Sequence, residues 1–111
     1  MTEEEVKNIT DQTELAKIVK DYQKTAISEA AVKRITDQAI LHKIAGSDYF
    51  YYLCELATAR VTNQELLIDL AKTAGLFTVR RRVVERITDQ AALLDIVEYS
   101  DDSYLTEEVL V

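Results

Sequence analysis

The stretch Arg34-Ile35-Thr36-Asp37-Gln38 (RITDQ) decides the fold, because it recurs along the chain at a fixed interval. It returns unchanged at 86–90, as NITDQ at 8–12 and as RVTNQ at 60–64. We call each copy a pentad. The Ile or Val of the pentad falls at positions 9, 35, 61 and 87, so each step is 26 residues. A fixed period of this length predicts a repeat array.

Apolar residues align in columns when the chain is stacked at this period. The first stripe of each unit uses the columns Leu15, Leu41, Leu67, Leu93 and Ile18, Ile44, Leu70, Ile96. The second stripe uses Ile27, Leu53, Val79, Leu105 and Ala31, Ala57, Val83, Val109. Spacings of three and four residues place these side chains on one face of a helix. Each unit is therefore expected to hold two short amphipathic helices.

This pattern predicts an all-α fold, a right-handed α-solenoid of about four short helix-turn-helix repeats. We expect one domain over residues 1–111, with units near 6–31, 32–57, 58–83 and 84–109. First helices are predicted near 11–20, 37–45, 63–73 and 89–98, and second helices near 24–34, 49–60, 76–86 and 102–110. A partial helix is predicted near 3–8.

Composition supports helix and restricts the classes of partner. The chain has no proline and only two glycines, fewer turn formers than a β-rich fold needs. Its formal charge is −7, and the acidity lies at the ends: residues 1–5 hold three acids and residues 98–111 hold five, with no base in either segment. Acidic ends disfavour nucleic acid as a partner. No apolar run is long enough to span a membrane. We expect a soluble, cytoplasmic protein.

The pentad is interpreted as a corner between two helices. Its Arg is placed in the last turn of a second helix, where a cation meets the negative end of the helix dipole. The Ile is expected to pack inward, the Thr to act as N-cap of the next helix and the Asp to lie in the first turn. In the copy at 60–64 the following Glu65 would complete a capping box. The alternative is a repeated Asp/Gln site for a metal or ligand.

The stretch from Val79 to Ile87 resembles the second helix of HEAT-type repeats, and the Thr-Asp-Gln segment that follows resembles the first helix of the next unit. The likeness covers nearly the whole chain, although units of 26 residues are shorter than the usual 40 or so. The first-helix proline of that family is also missing. The resemblance implies a solenoid whose second helices line a concave, protein-binding surface. An ordinary leucine-rich repeat is the alternative, but the chain has no Leu-x-Leu strand pattern.

Two stretches break the repeat pattern and are therefore candidate sites. The run Tyr49-Phe50-Tyr51-Tyr52 cannot face the core entirely, because successive helical residues turn by about 100°. At least one or two of these tyrosines should be exposed or pack on a neighbouring unit. The basic cluster at 80–82 predicts either an anion site or a ladder of ion pairs to glutamates of neighbouring units, Glu107 and Glu108 among them.

Signals for enzymatic chemistry are weak. His42 is the single histidine and lies in a largely apolar column, which favours a half-buried structural role. Cys54 is the single cysteine and is interpreted as a small residue on a helix flank. One cysteine and one histidine do not make a usual zinc site. We expect no cofactor, no metal and no catalysis.

The sequence therefore predicts a non-catalytic module that binds another protein, as a monomer or with weak end-to-end self-association. The alternatives are an acidic inhibitor or nucleic-acid mimic that blocks a basic site, and a structural fragment of a longer repeat protein. An enzyme of the HEAT-like glycosylase or bilin lyase type is less compatible with the acidic balance. The candidate partner-binding residues are Tyr51, Tyr52, Glu55, Thr78, Arg81 and Glu85.

Overall fold

The computed structural model describes residues 1–100, and within them it is all-α, with eight helices and no strand. The helices are α1 Glu3–Lys7, α2 Gln12–Asp21, α3 Ala26–Arg34, α4 Gln38–Ala45, α5 Tyr51–Arg60, α6 Gln64–Thr73, α7 Phe77–Val84 and α8 Gln90–Ser100. Every helix predicted in this part of the chain is confirmed to within two residues at each end. The helix predicted near 102–110 lies outside the described residues. None of the eight is long and apolar enough to cross a membrane.

The helices pack in two layers. Neighbours along the chain form hairpins, α2 with α3, α4 with α5 and α6 with α7. The first helices, α2, α4, α6 and α8, contact one another in order, and so do the second helices, α3, α5 and α7. Helix α1 packs on α3 and therefore extends the second layer. This packing is consistent with the helical repeat that the 26-residue period predicts.

The predicted columns form the core between the two layers. Leu15, Leu41 and Leu67 of the first helices are fully buried, as are Ile35 and Val61 of the pentads. Replacing one such leucine with alanine typically costs about 2–5 kcal/mol. The core thus repeats at the period of the sequence.

The arginine of each pentad binds the pentad before it. Arg34 Nε and Nη2 donate to the carbonyl oxygen of Ile9 at 3.0 and 2.8 Å. Arg60 repeats this bond to the carbonyl of Ile35 at 3.3 and 2.9 Å. The predicted place in the last turn of a second helix is confirmed for both arginines. The dipole explanation was incomplete, because each guanidinium also ties two units together through charge-assisted hydrogen bonds.

The glutamines of the first three pentads make the reciprocal contact to the following unit. Gln38 Oε1 accepts from the backbone N–H of Thr62 at 2.7 Å and of Asn63 at 3.4 Å, while its Nε2 donates to the carbonyl of Arg60 at 3.1 Å. Gln12 accepts from the equivalent amides of the second pentad, and Gln64 from Thr88 of the fourth. We call the arginine bonds and the glutamine bonds together the pentad ladder. No structural role for this glutamine was predicted from the sequence.

The aspartate of the pentad, not the threonine, caps each first helix. Asp37 is the N-cap of α4, and its side chain accepts from the backbone N–H of Ile40. Asn63 does the same for α6, bonding the amide of Leu66. The predicted threonine cap and the capping box at Glu65 are therefore wrong. Each of these helices therefore begins one residue later than predicted, and the amides of Thr36 and Thr62 bond to the glutamine of the preceding pentad.

Second helices begin less uniformly than first helices. Helix α3 has a side-chain cap, because the Thr25 hydroxyl accepts from the amide of Ser28. The N-cap residues of α5 and α7, Phe50 and Leu76, have no side chain that can accept such a bond. Lys24, just before α3, has a φ of 66°, the left-handed region that a residue with a side chain rarely adopts. The start of α5 at Phe50 falls within the aromatic run, so one of the two candidate sites begins at a helix without a side-chain cap.

Candidate protein-binding face

The second helices α3, α5 and α7 lie side by side and form the surface that we call the second-helix face. The pentad ladder fixes the spacing of these helices, because each arginine and glutamine bridges adjacent units. Side chains that point away from the core on α5 and α7 therefore stand at defined positions across the grooves between helices. Five of the six residues singled out from the sequence line depressions on this face.

The aromatic run divides between the core and the surface, as expected. Tyr49 and Phe50 are half-buried, whereas Tyr51 is 58% exposed and Tyr52 is 43% exposed. Burial raises the pKa of the Tyr49 hydroxyl, and Asp48 nearby raises it further. The ring of Phe50 meets that of Tyr51 edge-on, with centroids 4.7 Å apart. The prediction that at least one tyrosine is exposed is confirmed.

Tyr52 stands between two grooves. Its hydroxyl donates to Glu29 on α3 at 3.4 Å, so the side chain is held by the preceding unit. One groove, about 240 Å³, separates α3 from α5, and the other, about 410 Å³, separates α5 from α7. Tyr52 forms part of the wall of both. A rigid aromatic side chain in this position offers a large contact area at low entropic cost.

The groove between α5 and α7 brings together three of the predicted residues. Tyr52 and Glu55 line it from α5, and Glu85 lines it from the end of α7. Its other lining residues are Leu56, Thr58, Ala59, Arg82 and Arg86. Thr58 is buried and satisfied, its hydroxyl donating to the carbonyl of Cys54 at 2.6 Å. The groove therefore combines apolar surface with charges of both signs.

The other three predicted residues, Thr78, Arg81 and Tyr51, do not line the groove between α5 and α7. Thr78 and Arg81 line a smaller depression of about 220 Å³ on α7, and Arg82 and Glu85 line both this depression and the groove between α5 and α7. Tyr51 lines neither depression, although it is the most exposed of the aromatic residues. A wider depression of about 570 Å³ lies over α2 and contains none of the predicted residues.

The arginines of the basic cluster have different surroundings. Arg80 Nη1 donates to the carbonyl of Ala74 at 2.7 Å, which satisfies the end of α6, and its guanidinium lies 5.7 Å from the Phe77 ring centroid. Arg82 Nε lies 4.0 Å from Glu55 Oε1 of the preceding unit. This pair bears out the predicted cross-repeat pairing in part. An exposed ion pair at this distance contributes roughly 0–1 kcal/mol. The pairings expected with Glu107 and Glu108 lie outside the described residues.

The single histidine and cysteine have structural surroundings. His42 Nε2 lies 2.6 Å from Asp69 Oδ2 on the next first helix, a contact between units, and the ring is half-buried as expected. Cys54 is fully buried, and burial raises the pKa of its thiol. Among residues 1–100, no three His, Cys, Asp or Glu side chains are grouped so that they could hold a metal ion.

The apolar lining of the groove between α5 and α7 was not predicted from the sequence. Ala59 shares its repeat column with Lys33 and Glu85, so a small residue stands where these units carry long side chains. Leu56 shares a column with Ala30 and Arg82 and shows no such pattern. The short side chain at position 59 was visible in the sequence, but the groove beside it was not.

No protein-family model, no curated protein and no solved structure matches this chain.

Proposed function

We propose that the chain is a short, right-handed, HEAT-like α-solenoid that binds another protein through its second-helix face and catalyses no reaction. The observation that carries this proposal is the exposed Tyr52 at the edge of the groove between α5 and α7. Tyrosine is enriched among the residues that dominate binding energy at protein interfaces.

The composition of the groove supports a protein partner. Leu56 and Ala59 supply apolar surface, and Glu55, Arg82 and Glu85 surround it with charge. Interfaces between proteins typically have an apolar centre and a polar rim, with aromatic residues and arginine enriched at the centre. The pentad ladder contributes rigidity, so the face loses little conformational entropy when a partner binds.

The test is affinity capture with the tagged full chain and a matched pair of variants. Tyr52→Ala removes an exposed large side chain from the second-helix face, and Leu94→Ala removes a similarly exposed one from the first helix α8. Circular dichroism establishes that both variants keep the fold. A partner should bind the wild type and Leu94→Ala but bind Tyr52→Ala at least about tenfold more weakly, the loss expected at an interface hot spot.

Tyr52→Phe serves as the second control, because it keeps the ring and removes only the hydroxyl that contacts Glu29. It should retain most of the binding. Loss of the partner with Leu94→Ala and retention with Tyr52→Ala would place the contact on the first helices and overturn the proposal.

A further inference from the structure

The two helix layers carry opposite net charge. With the residues beside them, the second helices α3, α5 and α7 span 24–34, 50–60 and 76–86 and hold eight Lys and Arg against three Glu, a net +5. Helix α1, which packs on the same layer, adds three Glu and one Lys, so this layer is at +3 in the part of the chain that the structure describes. The first helices, taken as 10–21, 36–46, 62–73 and 88–98, hold four Lys against nine Asp and Glu, a net −5. The whole chain is at −7. An acidic protein thus presents a basic face, and a field of this kind steers partners of opposite charge.

Three of the eight bases, Arg34, Arg60 and Arg86, belong to the pentad ladder and donate to carbonyl groups of the preceding unit. The basic residues of the second helices are Lys24, Lys33, Arg34, Arg60, Arg80, Arg81, Arg82 and Arg86. Helix α7 carries the densest group, residues 80–82. The positive charge is therefore concentrated beside the larger groove.

Arg82 is placed to receive an acidic group. Its side chain is 63% exposed, and it lines both the groove between α5 and α7 and the depression on α7. Its Nε lies 4.0 Å from Glu55, whose side chain is half-buried, and so long a contact is weak, which means that exchanging it for a partner's carboxylate costs little. Arginine binds carboxylates through two parallel hydrogen bonds, a geometry that a free carboxylate supplies.

The lining of the groove favours a peptide over a nucleic acid. Leu56 and Ala59 in this lining suit an apolar side chain, which would also contact the ring of Tyr52. Glu55 and Glu85 stand on the two walls, where they would repel the closely spaced phosphates of a nucleic acid. A peptide can place a carboxylate beside Arg82 and an apolar residue between the walls.

Resting on the proposed function, we infer that the partner presents an acidic peptide segment to the second-helix face. Its carboxylates lie towards Arg82, and an apolar side chain enters the groove beside Tyr52. The negative first helices and the negative N-terminal residues 1–5 disfavour the same segment elsewhere on the described part of the chain.

The test uses the full chain and three sets of short synthetic peptides with the same apolar residues. The polar positions carry Asp and Glu in one set, Lys and Arg in another, and Ser and Asn in the third, and a single-stranded oligonucleotide is a fourth probe. Binding is measured by fluorescence anisotropy. We expect the acidic set to bind best, and binding to weaken as salt rises from about 0.01 to about 0.15 M, where the Debye length falls from about 30 to about 8 Å.

Arg82→Gln should weaken the acidic set by about tenfold, since it removes one charge-assisted contact. The matched control is Lys43→Gln, which removes an exposed cation from the first helix α4, and it should leave binding unchanged. A further variant neutralises the chain's own acids, D101N/D102N/E107Q/E108Q, and should keep the same preference for acidic peptides.

Several results would overturn the inference. Tighter binding of the basic or neutral set, or no binding by any set, would do so, as would an Arg82-dependent preference for the oligonucleotide. Acidic peptides that bind only the variant with neutralised residues would show that the chain's own acids occupy the face. The proposed function would survive each of these results if capture of a partner protein still required Tyr52.

Discussion

Gln38→Ala breaks one rung of the pentad ladder at its most completely bonded position. The substitution removes an acceptor for the amides of Thr62 and Asn63, at 2.7 and 3.4 Å, and a donor to the carbonyl of Arg60 at 3.1 Å. A hydrogen bond contributes about 0.5–1.5 kcal/mol net, and less when water can replace the lost partner. Gln38 is half-buried, and the bond at 3.4 Å is weak. We therefore expect a loss of about 2 kcal/mol in unfolding free energy, from two full bonds at about 1 kcal/mol each.

The assay is urea unfolding followed by far-UV circular dichroism, with a thermal scan beside it. A loss of about 2 kcal/mol corresponds to a fall of about 8–16 °C in Tm for a domain of this size. Gln90→Ala is the matched control, because Gln90 occupies the same pentad position but is exposed and makes no side-chain hydrogen bond to residues 1–100. It should change stability by less than about 0.5 kcal/mol. Equal effects of the two substitutions would refute the assigned role of the glutamine.

Four further outcomes follow from other features of the described residues. Asp37→Ala should lower the unfolding free energy by about 1 kcal/mol because it removes the cap of α4, and Thr36→Ala should lower it by less than about half of that. Urea unfolding compares the two variants. A larger loss with Thr36→Ala would show that the threonine is the cap. Lys24→Gly relieves a residue with a φ of 66° and should raise the unfolding free energy by about 0.5–1 kcal/mol, and a fall in Tm would contradict this. Cys54 should react with a thiol reagent at least about a hundredfold more slowly than the urea-unfolded chain, because access requires opening of the fold. Burial raises the pKa of the Cys54 thiol, so the folded state holds that proton more tightly than the unfolded state does. The unfolding free energy should therefore fall as pH rises above the ordinary thiol pKa of about 8.5. This pH dependence should be smaller in Cys54→Ala.

The helices could be predicted from the sequence because their signal is local. The columns that contain Leu41 and Leu53 give the helical face, and the 26-residue period fixes where each helix recurs. The pentad ladder could not be predicted in the same way. Gln38 and Arg60 act on residues of adjacent units, and a single sequence does not show which carbonyl or amide lies opposite a side chain.

The N-cap error has a different cause. Thr36 and Asp37 are both good caps, and the sequence does not decide between them. In the structure Asp37 caps α4 while Gln12 of the preceding unit binds the amides of Thr36 and Asp37. Asp11 caps α2 in the same way with no pentad before it, so the choice of cap does not depend on the contact between units.

The candidate face was predictable in position more than in shape. Tyr52 and the arginines of α7 broke the repeat pattern and could be singled out from the sequence. The groove between α5 and α7 could not be predicted from the sequence, because its size depends on how closely the two helices approach each other. The opposite charges of the two layers also appear only when alternate helices are assigned to separate layers.

Site-specific photo-cross-linking tests the central claim, that the second-helix face binds a protein, most directly. Ala59 on α5 and Ala39 on α4 are both exposed alanines in the same helical hairpin, one on each layer. A photoreactive amino acid is placed at either position in the full chain, and the chain is irradiated in an extract of its native cells. We predict a defined cross-linked partner from position 59 and none from position 39. The same partner from position 39 alone, or equal yields from both, would contradict the account.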